Sequence, residues 1–155
     1  MNHTEKKRSS DILKILCPTD FSDSARYAFQ TAVMMAERFN ASIELFHVIE
    51  PSAYVSDRIE DSEKTYQETV RDKLAVLAEV PGPQVPVAVE IATGIPYMEI
   101  TRRASEIGAD LIVIGTHGRT GIRHLLIGSV AEKVVRAAAC PVLTVRHPDL
   151  DVGLN

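Results

Sequence analysis

Short apolar runs recur along this chain at intervals that leave room for a helix between each pair, and this alternation restricts the fold more than any other feature. ILKILC (12–17), SIELFHV (42–48), VAVEIA (87–92), LIVIG (111–115) and PVLTVR (141–146) read as strands. Between the first two, Ala25, Ala28, Phe29, Ala32, Val33 and Ala36 fall on one helical face over 24–39. Ser22 suits the N-cap of that helix, and Asn40 suits its end because asparagine tolerates the left-handed conformation. A second helix carries Tyr66, Val70, Leu74 and Leu77 on one face and is broken by PGPQVP (81–86). Thr93 and Gly94 form a turn, Pro96 opens a third helix striped by Tyr97, Ile100, Ala104 and Ile107, and Gly108 ends it. A fourth helix over 129–138 aligns Val130, Val134 and Ala138.

LIVIG has no polar position on either side, as a strand covered on both faces requires. Five strands alternating with four helices therefore predict an α/β fold, a single Rossmann-like doubly wound domain with helices on both faces. Right-handed crossovers leave few topologies for its five-stranded parallel sheet, and the order 3-2-1-4-5 fits best. With 155 residues, one domain is expected over 11–147, between polar tails at 1–10 and 148–155. PGPQVP is no domain boundary, since either half alone is too short to bury its strands.

Seventeen basic residues against 21 acidic ones give a formal charge of −4, which argues against a basic nucleic-acid-binding surface. No stretch is apolar enough for a membrane helix, and MNHTEKKRSS has basic residues without the apolar run of a secretory signal. Cys17 and Cys140 are too few for a disulfide framework and fall at opposite ends of a parallel sheet, so both read as buried small hydrophobes. These features together point to a cytoplasmic protein. The mixed charges over 54–73 read as a solvated helix face and loop.

In a doubly wound sheet, ligands bind beyond the carboxyl ends of the strands where strand order reverses, here between the first and fourth strands. Two unusual loops leave those ends: Cys17-Pro18-Thr19-Asp20-Phe21-Ser22, and the glycine-rich segment from Gly115 to Ser129. The second has the spacing G-x2-G-x9-G-[ST] at Gly115, Gly118, Gly128 and Ser129. At this glycine content a chance match at any one start is on the order of 10⁻⁵. Gly128 and Ser129 open a helix, whose unpaired N–H groups and positive dipole end favour an anion. Gly115 and Gly118 are expected to let the backbone approach a ligand, although packing alone could also ask for Gly115.

The P-loop signature and the dinucleotide fingerprint are both absent, so phosphate charge would meet backbone amides. Arg119 and His117 are the better candidates for helpers, with Arg123 and His124 behind them; each reads at least as well as a solvated loop residue. Asp20 can be a turn residue, yet its place at the switch point favours a ribose or metal contact. His3 and His147 fall in tails and His47 inside a strand, and no set of side chains has metal-ligand spacing. No catalytic residues are assigned.

ILCPTDFSDSARYA and DLIVIGTHGRTGIRHLLIGSVAEKVVRAAACPVLTVR resemble the universal stress protein family, over essentially 12–146. The resemblance implies ATP binding, with or without Mg²⁺. It implies that Asp20 contacts the nucleotide, that Pro18 and Thr19 line its pocket, and that Val48 packs on adenine. Ribose and phosphates then fall to Gly115, Thr116, His117, Gly118, Arg119, Gly128, Ser129 and Val130. Where some relatives carry a further hydroxyl after Val130, this chain has Ala131, which leaves out one phosphate hydrogen bond. The family further implies a stress-response or signalling role and a homodimer. An almost wholly apolar edge strand from Pro141 to Arg146 independently calls for a cover, which pairing with its own copy would provide. The alternative is a slow ATP hydrolase or another nucleotide-dependent enzyme. Hydrolysis needs strong charge stabilisation at the γ-phosphate, and Asp20 and Arg119 stand without a lysine clamp or an evident base, so holding is favoured over turnover. A dimer that has lost nucleotide altogether fits poorly with the intact glycine spacing.

Overall fold

The computed structural model describes residues 14–51, 59–79, 85–117 and 127–148. They form β1 (Lys14–Pro18), α1 (Asp23–Phe39), β2 (Ser42–Ile49), α2 (Ile59–Ala78), β3 (Val87–Thr93), α3 (Pro96–Glu106), β4 (Leu111–Gly115), α4 (Ser129–Ala137) and β5 (Val142–Val145). The strands make one parallel sheet in the order β3-β2-β1-β4-β5, as expected.

Strand alternation divides the core into two layers. Ile15, Cys17, Ile43, Leu45, Leu111 and Val113 point to one face, where they meet Ala28, Phe29, Ala32 and Val33 of α1 and Val70 and Leu74 of α2. Leu16, Phe46, Ile112 and Ile114 point to the other, against Ile100 and Ala104 of α3 and Ala131 and Val134 of α4. The small residues along α1 let it lie close over β1 and β4. Glu44 is the polar residue that β2 turns toward α3. Arg103 meets it in a two-pronged pair, Nε to Oε1 at 2.6 Å and Nη2 to Oε2 at 3.0 Å.

Helix ends follow the residues expected of them. Ser22 caps α1, its Oγ accepting from the Ala25 N–H at 3.2 Å. Asn40 ends the helix at φ 54°, ψ 43°. Pro96 stands in the first turn of α3, where no N–H is needed, and Gly108 turns the chain out at φ 61°.

Four local expectations are corrected. On α4 the fully buried side chains are Ala131 and Val134, while Val130 and Ala138 are only partly covered, because the helix turns Val130 toward the sheet's carboxyl end. Thr93 belongs to β3 rather than to the turn, which falls to Gly94. β5 is shorter than its apolar run: Pro141 and Arg146 flank it, although the Pro141 carbonyl still accepts from the Ile112 N–H. Cys140 is half-buried, whereas Cys17 is buried as expected, and both thiols are free.

Candidate functional site

A cavity of about 540 Å³ opens beyond the carboxyl ends of β1, β2 and β4, at the reversal of strand order. Ten of the sequence-expected residues line it. Pro18 ends β1, Thr19 and Asp20 come from the β1–α1 loop, Val48 from β2, Gly115, Thr116 and His117 from the end of β4, and Gly128, Ser129 and Val130 from the start of α4. Gly118, Arg119, Arg123 and His124 lie outside the described residues.

The β1–α1 loop is held from several directions. The Thr19 N–H donates to the Phe46 carbonyl at 2.8 Å, extending the sheet by one rung. The Phe21 N–H donates to Thr19 Oγ1 at 3.1 Å, and the Ser22 N–H to Asp20 Oδ1 at 3.0 Å. The Asp20 carboxylate is therefore fixed by its own turn as well as facing the cavity. Phe21 stands at φ 65°, a conformation that a bulky residue adopts only where its surroundings impose it.

On the facing side, the Thr116 N–H extends the β4–β5 ladder to the Val145 carbonyl at 2.9 Å. The Thr116 carbonyl accepts from the Gly128 N–H, which brings the start of α4 back to the end of β4. Gly128 is extended at φ −73°, ψ 157°, and no side chain caps the helix. The N–H groups of the first turn of α4 have no intrahelical partners and lie along the cavity wall. Thr116 Oγ1 and His117 Nδ1 are 2.9 Å apart, which holds the imidazole on the rim.

Gly115 has a different reason from the one its motif suggests. A Cβ there would lie 2.7 Å from Ser24 Oγ and 2.9 Å from the backbone C and O of Ser24. Its hydrogen faces α1 rather than a ligand, so this glycine lets the helix reach the sheet. Ser24, itself buried, accepts from the His117 N–H at 3.4 Å and so ties the two loops together.

Among the cavity residues that no motif marks are Glu50 after β2, Tyr66 of α2, and Pro96 and Ile100 of α3, the helix that packs beside α4. His47 is another. It is 7% exposed, its Nδ1 is 2.7 Å from the Thr19 carbonyl, and its ring lies 4.8 Å from that of Phe21. A histidine within a strand gives no hint of such a partner until the strand's neighbour is known. Among the described residues no group of three or more His, Cys, Asp or Glu could hold a metal ion.

Comparison with known proteins agrees with this geometry. The family model described as the universal stress protein family matches residues 12–146. The chain belongs to that family. It is 37% identical to Universal stress protein MJ0531 of Methanocaldococcus jannaschii, over 87% of this chain and 82% of that one. Among solved structures, the hypothetical protein MJ0577 superposes with a TM-score of 0.79 at 31% identity, covering 88% of this chain and 97% of that one. UspA from Lactobacillus plantarum gives 0.71 at 30%, covering 88% and 99%. A universal stress protein from Archaeoglobus fulgidus described in complex with dAMP shares the fold at 22% identity and a TM-score of 0.61, covering 87% and 98%. Among the described residues, no helix of this universal stress protein is long and apolar enough to cross a membrane.

Proposed function

We propose that this universal stress protein holds ATP in the cavity at the switch point and acts in the cytoplasm, as a homodimer, as a nucleotide-dependent stress or signalling module. One observation carries the reading: the Asp20 turn and the uncapped start of α4 face each other across a cavity of about 540 Å³. A volume of this order suits a nucleotide. The residues available divide the ligand by chemistry. The uncapped N–H groups of α4 and the Ser129 hydroxyl suit phosphate, the Asp20 carboxylate suits ribose hydroxyls, and Val48 with Ile100 and Pro96 offers an apolar wall for a base. Gly118 and Arg119 belong to the proposed phosphate loop by sequence. A Mg²⁺ ion would have to come with the phosphates, since the described side chains form no cluster for it. The fold itself accommodates an adenine nucleotide in the more distant Archaeoglobus protein.

The open edge of β5 supports the homodimer. The Pro141 and Val145 carbonyls face β4, so alternation turns the N–H and C=O of Val142 and Thr144 to the open edge. Pairing with a second copy would satisfy them.

The test is to purify the protein without added nucleotide, denature it and identify what is released. Near-stoichiometric ATP, lost in a Gly128→Val variant that still folds, supports the reading. Released ADP favours the hydrolase instead. No nucleotide released, together with no binding on titration with ATP to millimolar concentration, overturns it.

A further inference from the structure

The β1–α1 loop adopts a conformation that its own residues do not prefer, and the restraint on it comes from β2. Phe21 at φ 65° has no glycine to make the left-handed region comfortable, and the two hydrogen bonds within the loop are short-range ones that many loop conformations could make. From β2, the Thr19 N–H is held by the Phe46 carbonyl, and the side chain that reaches the loop is His47. A carbonyl oxygen only accepts, so the 2.7 Å contact with the Thr19 carbonyl requires the proton to be on His47 Nδ1. That carbonyl belongs to the peptide plane joining Thr19 to Asp20. With the plane fixed, only rotation about the Asp20 N–Cα bond still decides the direction in which its side chain leaves the backbone. The imidazole meanwhile supports the Phe21 ring at 4.8 Å and a tilt of 40°, which stabilises the left-handed residue that follows Asp20. One side chain thus touches both neighbours of Asp20, the Thr19 carbonyl and the Phe21 ring. The arrangement is buried, with Thr19 at 6% and His47 at 7% exposure, so water does not compete for the bond.

We infer that His47 is a positioning residue for the nucleotide site: through its Nδ1–H bond to the Thr19 carbonyl it sets the Asp20 carboxylate for its ligand. This rests on the nucleotide reading above for what Asp20 contacts, while the loop-setting role stands on the geometry alone.

Two substitutions separate the donor from the ring. His47→Phe keeps an aromatic body beside Phe21 and removes the donor; His47→Asn keeps a donor near the Nδ1 position and removes the ring. Titration with ATP and chemical denaturation are run on both and on the parent protein. The expected result is that His47→Phe weakens ATP binding about tenfold, the worth of one buried hydrogen bond, while His47→Asn stays within about threefold of the parent even where it is the less stable of the two. A structural role alone would make affinity follow stability, so affinity falling in the order of stability overturns the inference. Amide hydrogen exchange at Phe21 and Ser22 provides a readout without ligand. Exchange about tenfold faster in His47→Phe than in His47→Asn supports the role, and equal exchange overturns it. If the parent protein binds no ATP, the nucleotide reading fails and the exchange comparison decides the loop-setting role separately. Should neither variant fold, the imidazole ¹⁵N resonances of the parent protein decide: a protonated Nδ1 supports the assignment, and a bare Nδ1 overturns it.

Discussion

Replacing Gly115 by alanine separates two explanations of the first glycine in the motif. The added Cβ would meet Ser24 Oγ at 2.7 Å and the Ser24 backbone C and O at 2.9 Å. Comfortable contacts lie near 3.5–4.0 Å, so the end of β4 and the start of α1 must separate by about 0.5–1 Å. Two of the three obstructing atoms are backbone, and no rotamer change of Ser24 relieves them. Overpacking of this kind costs about 1–3 kcal/mol, and the rigid partner places Gly115→Ala toward the upper end, at about 2–3 kcal/mol. Urea denaturation measures it: the midpoint falls while the slope with denaturant stays constant. Adding Ser24→Ala removes the hydroxyl contact alone and is expected to recover less than half of the loss. If Gly115 instead served to admit a ligand, Gly115→Ala would retain full stability and lose only ATP binding. A variant within about 0.5 kcal/mol of the parent refutes the packing argument.

Four other expectations are more direct. Burial pushes the Cys17 thiol up to about 12, so at pH 8 only about 10⁻⁴ of it is thiolate, and the folded protein should leave Cys17 unmodified by a disulfide reagent that labels it once urea is added. The same shift has a definite sign for stability. The unfolded thiol loses its proton near pH 9 and the folded one near 12, so between those values the parent should lose stability relative to Cys17→Ala by about 1.4 kcal/mol per pH unit, measured by denaturation at each pH. Arg103→Ala takes its two-pronged partner from Glu44, whose side chain is 13% exposed in the parent, and denaturation should show a loss of about 1–3 kcal/mol, partly regained when Glu44→Leu is added. Thr144→Pro removes an N–H that faces the open edge of β5 while leaving the β4–β5 ladder its donors, so sedimentation should show a dimeric parent and a monomeric variant of unchanged fold.

Hydrophobic period and capping chemistry made most of the fold legible. LIVIG over 111–115 is β4 at both ends, since nothing but apolar side chains can stand where two helix layers meet. Ser22 and Asn40 bound α1 because their side chains solve the hydrogen-bonding problem of helix ends locally. The switch-point rule pointed to the two loops that supply eight of the expected cavity residues, while Val48 and Val130 came from the family resemblance alone. What the sequence left hidden depends on partners distant along the chain. Ala131 rather than Val130 faces the core because the depth at which α4 sits is set by α3 and the sheet. Gly115 answers to Ser24, and His47 to Thr19, across separations that no local pattern encodes. Glu50, Tyr66, Pro96 and Ile100 close the cavity without belonging to any motif, because a wall needs shape more than chemistry.

The strand order also sets a timetable for the growing chain. β1 is translated before the other strands but occupies the middle of the sheet, and its pairing with β4 joins Ile15 to Leu111. As the ribosome releases the chain from β1 to β3, those strands can associate on one side only, leaving the edge of β1 that β4 will take without its partner. The proposed ATP site needs still more, since α4 begins at Ser129. A nascent chain arrested short of that helix would have its Asp20 turn but lack the opposite wall. On this timetable ATP can reward only a nearly finished molecule, and it would act late in synthesis as a clasp on the completed fold rather than as a template for its first strands.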